Sequence, residues 1–226
     1  MPKLLFTAIL FALSTSLYAE VFRKYFETGV IKSKIEYQDG TRTAVKKGIK
    51  EGNEEIYYTG GEIAFIVQNK DGKRHGEMYW YDQEGNQLSI MTYKQGLRHG
   101  LNTIFHDTGI KRIEINYIDD KKEGIEKHYF NTGVLASKVL YINGKKEGLQ
   151  TVYYPNGKLH NTVGYQNNYK EGNKLWYDKN TTLIRTQSYK NDRPIKRMKK
   201  LQIKKPNQTI DAFNVLNFNP NNRKRD

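Results

Sequence analysis

The residues of this sequence that could do chemistry recur in six triplets, each made of a basic residue, then Glu or His, then Gly. The triplets are Lys50-Glu51-Gly52, Arg74-His75-Gly76, Arg98-His99-Gly100, Lys122-Glu123-Gly124, Lys146-Glu147-Gly148 and Lys170-Glu171-Gly172. A carboxylate or imidazole beside a cation suits acid–base catalysis, and His75 and His99 could together bind a metal ion. Each Gly, however, lies 24 residues after the one before it, and Glu replaces His in four copies. We therefore interpret the six glycines as structural turns, and predict neither catalytic residues nor a metal.

Other common catalytic patterns are missing from the sequence. It contains no HExxH, no P-loop and no GxGxxG motif, and its acidic residues are scattered rather than paired. It also contains no Cys, which excludes disulfides, thiolate metal sites, cysteine nucleophiles and lipid attachment at a cysteine. We predict a protein that is not an enzyme and needs no cofactor.

The elements that carry the triplets follow from the residues between them, counted here from each triplet glycine as position 0. Position +5 is aromatic in all six copies, position +9 is Gly in five, and position +17 is Tyr in five. From Leu149 to Tyr154 two sets of residues alternate with a period of two and are rich in β-branched and aromatic side chains, which is typical of a β-strand, and Pro155-Asn156-Gly157 then form a turn. A further turn residue falls at +20: Gly72, Gly96, Asp120, Gly144, Asn168 and Asp192. Each repeat is therefore predicted to be a β-hairpin.

The whole array is predicted to be all-β: an elongated, single-layer antiparallel meander of about seven hairpins. A variant first repeat begins near Glu20, because the residues from Tyr25 to Val30 match those from Tyr129 to Val134. Its spacing is eight residues longer, which predicts a longer loop near residues 41–48. The domain boundaries are residues 1–19, 20–189 and 190–226.

The first 19 residues resemble a secretory signal peptide. Lys3 is followed by an apolar run from Leu4 to Ala12, and Ala19 is a small residue at the expected cleavage site. A buried strand or an uncleaved anchor is the alternative. We expect export to the periplasm, the cell envelope or the medium.

The C-terminal part, residues 190–226, carries much of the net charge of +14, with 11 basic and 3 acidic residues. Its basic side chains include Lys196, Arg197, Lys199, Lys200, Lys204 and Lys205. The spacing of Ile195, Met198 and Leu201 is compatible with a short amphipathic helix. This tail could contact an anionic membrane, or it could be a solvated segment or cover the last strand edge.

The repeat resembles the bacterial variant of the MORN repeat, over roughly residues 25 to 190. The clearest matches are Tyr141-Ile-Asn-Gly-Lys-Lys-Glu-Gly148, Asp71-Gly-Lys-Arg-His-Gly76 and Tyr153-Tyr-Pro-Asn-Gly157. The resemblance implies hairpins in an extended sheet that serves as a binding or scaffolding surface. Proteins of this family have been associated with membranes, with protein scaffolding and, in the YwqK type, with antitoxin function.

Two sets of apolar residues are candidates for binding. The aromatic row at +5 is Tyr57, Tyr81, Phe105, Tyr129, Tyr153 and Tyr177, and we predict that it shares a face with positions +15 and +17. This row could be a structural core or a groove for a peptide, glycan or lipid. On the other face we predict an apolar patch at +4 made of Ile56, Trp80, Ile104 and Trp176. Two apolar faces would need cover from the tail, a second copy of the chain or a ligand.

We therefore predict an exported scaffold that binds a protein or an envelope component. A YwqK-like antitoxin or immunity protein that blocks a toxin is one alternative, and a peripheral module that binds anionic lipid is another. The expected partner is a surface protein or a toxin. A homo-oligomer is also compatible with the two apolar faces, whereas export argues against nucleic acid.

Overall fold

In the computed structural model, residues 19–38, 49–195 and 199–200 are described, and every regular element in these ranges is a β-strand. Two compact units divide the chain. The first contains the described residues up to Glu123 together with Asn131–Gly133, and the second contains Gly124–Phe130 and the described residues from Val134 onward. The predicted all-β meander of antiparallel hairpins is confirmed.

The first unit contains four hairpins, in which each strand pairs antiparallel with the next. Its strands are β1 (Ala19–Tyr25), β2 (Ile31–Gln38), β3 (Ile49–Tyr57), β4 (Ile63–Lys70), β5 (Lys73–Tyr81), β6 (Gln87–Lys94), β7 (Leu97–Arg98), β8 (Gly100–Phe105) and β9 (Lys111–Ile118). Strands β7 and β8 together occupy the place of one strand, because both pair with β6.

The second unit contains three hairpins of the same kind. Its strands are β10 (Lys121–Tyr129, of which residues from Gly124 belong to this unit), β11 (Leu135–Ile142), β12 (Lys145–Tyr153), β13 (Leu159–Gln166), β14 (Tyr169–Lys170), β15 (Gly172–Tyr177), β16 (Leu183–Lys190), β17 (Arg193–Pro194) and β18 (Lys199–Lys200). The two-residue strand β18 pairs with β16, so at Lys199 and Lys200 the helical interpretation of the tail is wrong. A strand edge with unpaired backbone groups favours an added strand at this point.

Two kinds of turn alternate along the meander. At +19 and +20, both residues have positive φ, as in Asp71 (52°) followed by Gly72 (74°), and Asn143 (51°) followed by Gly144 (78°). Positive φ at both central residues is what a two-residue type I′ hairpin turn requires, and Asn, Asp and Gly adopt it at low cost. The predicted turn at +20 is confirmed.

The turn at +9 is longer and contains a single residue of positive φ. In the second full repeat, the Gly85 amide donates to the Asp82 carbonyl at 3.2 Å, and the Asp82 amide donates to the Asn86 carbonyl at 3.0 Å. The adjacent register shifts by one residue, between Trp80 and Tyr81. This geometry is a three-residue loop followed by a bulge, in which the last loop residue is left-handed.

The triplet glycines do not lie in hairpin turns, contrary to our interpretation of the sequence. Gly76 lies inside β5, where Arg74 pairs with Asn69 but Met78 pairs with Val67. Strand β5 therefore contains two more residues than β4 over this stretch, which is a bulge. The φ of Gly76 is 92°, and the other five triplet glycines also have positive φ. A bulge needs a residue with left-handed backbone as much as a turn does, so the recurring glycine is compatible with either structure.

The prediction that +5 shares a face with +15 and +17 is also wrong. Residues that pair across a strand share a face, and Met78 at +2 pairs with Met91 at +15, while Trp80 at +4 pairs with Ser89 at +13. Position +4 therefore shares the face of +15, whereas +5 is the next residue along the strand and points to the other side. The one-residue bulge after Trp80 changes the parity across the hairpin, and the sequence alone does not show it.

The core of each unit lies on the face that contains +15. Val67 is 0% exposed and Met78 is 2% exposed in the first unit, and Val163 is 2% exposed in the second. In the first unit, the paired side chains of Phe65 and Trp80 follow in the next row, with ring centroids 5.5 Å apart. In the first unit, the buried pair of Val67 and Met78 is thus followed along the strands by the two larger rings.

Candidate binding surfaces

The polar residues of the triplets hold the next type I′ turn of the chain. The Glu147 carboxylate accepts a hydrogen bond from the Asn167 amide at 2.9 Å, and Glu171 accepts one from the Asn191 amide at 3.1 Å. His99 is in the same position, and its Nδ1 lies 3.1 Å from Asp119 Oδ1. We call this set of contacts the turn clasp. In these three copies the residue that suggested acid–base chemistry has a structural role, whereas the buried Nδ1 of His75 has no hydrogen-bond partner among the described residues.

The basic residue completes the turn clasp in five of the six triplets, where its carbonyl accepts the amide of the +20 residue. The Asp120 amide donates to the Arg98 carbonyl at 3.0 Å, while Asp120 Oδ1 accepts from the Arg98 amide at 3.1 Å and from Arg98 Nε at 2.8 Å. The charged hydrogen bond from Arg98 holds the pKa of the Asp120 carboxyl below its usual value. Lys146 and Lys170 make the same backbone contacts with Asn168 and Asp192.

The same basic side chains lie over the tyrosines at +17. Arg98 lies 4.2 Å from the ring centroid of Tyr117, and Lys146 lies 5.1 Å from that of Tyr165. Each tyrosine pairs directly with a triplet glycine, for example Tyr165 with Gly148, which presents no side chain beside the ring. A cation over an aromatic ring contributes about 0.5–1 kcal/mol at an exposed site. The conserved spacing of cation, Gly and Tyr within the repeat is thus explained by packing.

The aromatic row at +5 is half-buried along its whole length. Burial, together with a hydrogen bond to Glu55, raises the pKa of Tyr57 to about 12, and burial also raises the pKa of Tyr177. Phe105 lines a small cleft together with Asn86, Gln87, Asp107, Thr108 and Gly109. The half-buried rings favour packing as the main role of this row, and its role as a binding groove stays a prediction.

The apolar patch predicted at +4 lies beside the buried core. Ile56, Ile104 and Trp176 are half-buried, and Trp80 is 40% exposed. Trp176 lies between two cations, 4.8 Å from Lys174 Nζ and 4.5 Å from the Arg185 guanidinium carbon. Burial, and then the charges of Lys170 and Arg185, lower the pKa of Lys174. These tryptophans contribute to the core-side face, so they do not form a separate second face.

An exposed apolar surface that sequence reasoning missed lies on the opposite face of the second unit. Ile125, Leu140, Ile142 and Leu149 are 52%, 36%, 45% and 47% exposed, respectively. Ile125 pairs with Leu140 across β10 and β11, and Leu140 and Ile142 are two residues apart on β11. Leu149 follows on β12, next to Gly164 of β13. We call these four residues the apolar strip.

A comparison of the repeats could have revealed the apolar strip. Position +1 is Leu101, Ile125 and Leu149 in the three middle copies, but Asn53, Glu77 and Asn173 in the others. A position that only needed to face water would not become apolar in neighbouring copies. The sequence feature that indicates the apolar strip is therefore a difference between the repeats, not the pattern that they share.

The contacts expected of the basic tail cannot be placed, because Lys196, Arg197, Lys204 and Lys205 lie outside the described residues. The same holds for residues 1–18 of the expected signal peptide and for the loop at 41–48. Strand β18 shows the backbone of Lys199 and Lys200 only.

Within the described ranges, no helix is both long and apolar enough to cross a bilayer. The same ranges contain no group of three or more His, Asp or Glu side chains that could hold a metal ion.

Fold and surface together define a protein built of β-hairpin repeats. Four segments, 21–39, 74–95, 122–143 and 146–167, match the family described as the MORN repeat variant. The chain thus contains repeats of this type in four segments. Comparison with curated proteins found no match. Among solved structures, a porin-like protein from Bacteroides uniformis is 11% identical, with 80% of this chain and 88% of that chain covered. The TM-score is 0.22, which is too low to indicate a shared fold.

Proposed function

We propose that the protein is an exported, non-enzymatic scaffold that binds a protein partner through the apolar strip. The observation that carries the proposal is the exposure of Ile125, Leu140, Ile142 and Leu149 on neighbouring strands. A lone exposed apolar side chain is ordinary, whereas a contiguous apolar surface is typical of an interaction site. The MORN repeats support a scaffold, and residues 1–19 support export.

The non-enzymatic part of the proposal is supported by the turn clasp. Glu147, Glu171 and His99, which are the residues most suited to acid–base chemistry, contact backbone amides or turn carboxylates. Their repetition at equivalent positions is better explained by the geometry of the repeat than by a single reaction.

Export is tested by fractionation of the native cells and N-terminal sequencing of the protein. We expect a mature chain that begins near Glu20, outside the cytoplasm. A cytoplasmic chain that retains its first residues would contradict export and would favour the antitoxin-like alternative.

Binding is tested by co-purification of the tagged full-length chain from cross-linked native cells. We expect a discrete partner with the unmodified chain and its loss with Leu149→Asp. The matched control is Asn156→Asp, which introduces the same charge on an exposed turn of the same hairpin. Equal recovery of the partner by both variants would contradict a role for the apolar strip.

A further inference from the structure

The apolar strip is bordered by lysines. Lys127 and Lys138 pair with each other across β10 and β11, on the same face as Ile125 and Leu140. Lys138 is exposed and Lys127 is half-buried, and neither has an acidic partner within the described part of the chain. At the other side of the strip, Ile142 pairs with the exposed Lys145. The surface is therefore apolar along its centre and basic along its sides.

The acidic residues of the second unit do little to neutralise these lysines. Glu147, which pairs with Leu140, accepts the Asn167 amide, and Glu171 accepts the Asn191 amide. Asp178 accepts backbone amides within its own turn, and Asp192 accepts the backbone amide of Lys170 on β14. These carboxylates keep their negative charge, but the described residues of the second unit carry 13 basic side chains against five acidic ones, so the field over the strip is positive and would attract an acidic partner.

We propose that the apolar strip binds an acidic amphipathic helix of a partner protein, laid across strands β10, β11 and β12. The proposal rests on the proposed scaffold function and adds the chemistry of the partner. Apolar residues on one face of the helix would cover Ile125, Leu140 and Leu149. Glu or Asp residues beside that face would meet Lys127 and Lys138.

The spacing of the strip suits a helix that crosses the strands. Neighbouring strands lie about 4.8 Å apart, so side chains on three successive strands repeat at about that distance. A helix repeats its apolar face about every 5.4 Å, once per turn. Over three strands the two spacings differ by only about 1 Å in total, and because Leu140 pairs with Glu147, the helix would cross the strands at an oblique angle to meet Leu149. Along an extended peptide laid in the same direction, side chains on one face repeat about every 6.6–7 Å. They would therefore fall out of alignment with the strands of the sheet sooner than those of a helix.

Charge argues against two other occupants. The tail from residue 196 to the C-terminus carries nine basic residues and two acidic ones, so it would place like charges beside Lys127 and Lys138. A second copy that packed strip against strip would also bring these lysines together. A helix that carries acidic residues meets neither penalty.

The proposal is tested with a designed helical peptide of 18 residues, with Leu at helical spacing and Glu on both flanks of the Leu face. Its binding to the full-length chain is measured by fluorescence anisotropy at low and moderate salt. We expect a complex that weakens with salt and that loses at least about tenfold in affinity in Lys127→Glu/Lys138→Glu. A peptide with Lys in place of Glu should bind this double variant better than it binds the unmodified chain.

The matched control is Lys158→Glu/Lys179→Glu, which makes the same change in charge at two exposed turn positions. We expect it to keep most of the affinity, and circular dichroism checks that both double variants are folded. Equal loss in the two double variants would overturn the proposal, because net charge alone would then explain binding. Failure of both peptides to bind would also overturn the proposal. In that case, loss of the co-purified partner in Leu149→Asp would still support the scaffold function. Binding of the chain to anionic vesicles through Lys127 and Lys138, without binding of the peptide, would identify a lipid surface as the occupant instead.

Discussion

At the residue scale, the turn clasp explains why the triplets repeat. Lys146 uses its side chain to cover the Tyr165 ring and its backbone to hold the turn at Asn168, while Glu147 binds the Asn167 amide. Gly148 supplies the positive φ between them. Three adjacent residues thus fix a bulge, a ring and the following turn.

Thr181 occupies a left-handed position that other repeats give to glycine. Its φ is 66°, and a β-branched residue in this region is strained. We expect Thr181→Gly to raise the free energy of unfolding by about 1 kcal/mol. Relief of backbone strain stabilises the folded state by more than the added conformational entropy stabilises the unfolded chain. Urea unfolding measures the change.

The control for Thr181 is the reverse substitution at the equivalent Gly157, whose φ is 79°. Gly157→Thr should lower stability. If the two substitutions change stability in the same direction, strain at this position is not the cause.

Asp120 should contribute to the acid sensitivity of the protein. Its folded pKa is lowered by the hydrogen bond from Arg98, so its contribution is complete above the ordinary value of 3.8 and is lost as pH falls through the folded pKa. We expect Asp120→Asn to show a smaller decline in urea midpoint between about pH 5 and pH 2 than the unmodified chain does. Asp107→Asn, at an exposed turn, is the control. An unchanged decline in Asp120→Asn would show that the clasp is not coupled to folding.

At the element scale, the bulge is the feature that distinguishes these hairpins from a regular meander. It places two extra residues in each strand that carries a triplet, such as β12 opposite β11. An added Cβ at Gly148 would meet no atom within 4 Å, so the requirement for glycine there comes from the backbone alone. At Gly164, by contrast, an added Cβ would clash with the Glu171 carbonyl.

Substitutions at these two glycines separate the two causes. Gly148→Ala should cost about 1–2 kcal/mol, and Gly148→Asn should cost less, because Asn tolerates left-handed backbone. At Gly164, Ala and Asn should both be poorly tolerated, since each brings a Cβ into the same carbonyl. Thermal unfolding of the four variants gives the comparison, and equal effects of Ala and Asn at Gly148 would contradict the backbone explanation.

The repeat pattern predicted the hairpins and the turns at +20, whereas it led us to interpret the triplet glycines as turns rather than bulges. It did not predict which residues share a face, because the one-residue bulge after Trp80 changes parity and leaves no mark in the spacing. The position of the apolar strip depends on that parity. Ile125 and Leu149 were therefore visible in the sequence as apolar residues, but their exposure was not.

At the scale of the whole molecule, positions that recur from repeat to repeat and positions that differ between repeats have different roles. Positions that repeat, such as the triplets and the tyrosines at +17, hold each hairpin to the next within a unit. Positions that differ between copies, such as +1, give some repeats exposed apolar side chains, which in the second unit form the apolar strip. Such a division is expected of a repeat protein, in which the shared residues build the framework and the variable ones bind.

The central claim is that a partner contacts the apolar strip, and site-specific photo-cross-linking in the native cells tests it most directly. A photoreactive residue would be placed at Leu149 and, as a control, at Lys179, an exposed turn position of the same unit. We expect a specific adduct with one protein from Leu149 and none from Lys179. Equal labelling at both positions, or no protein adduct from Leu149, would contradict the claim.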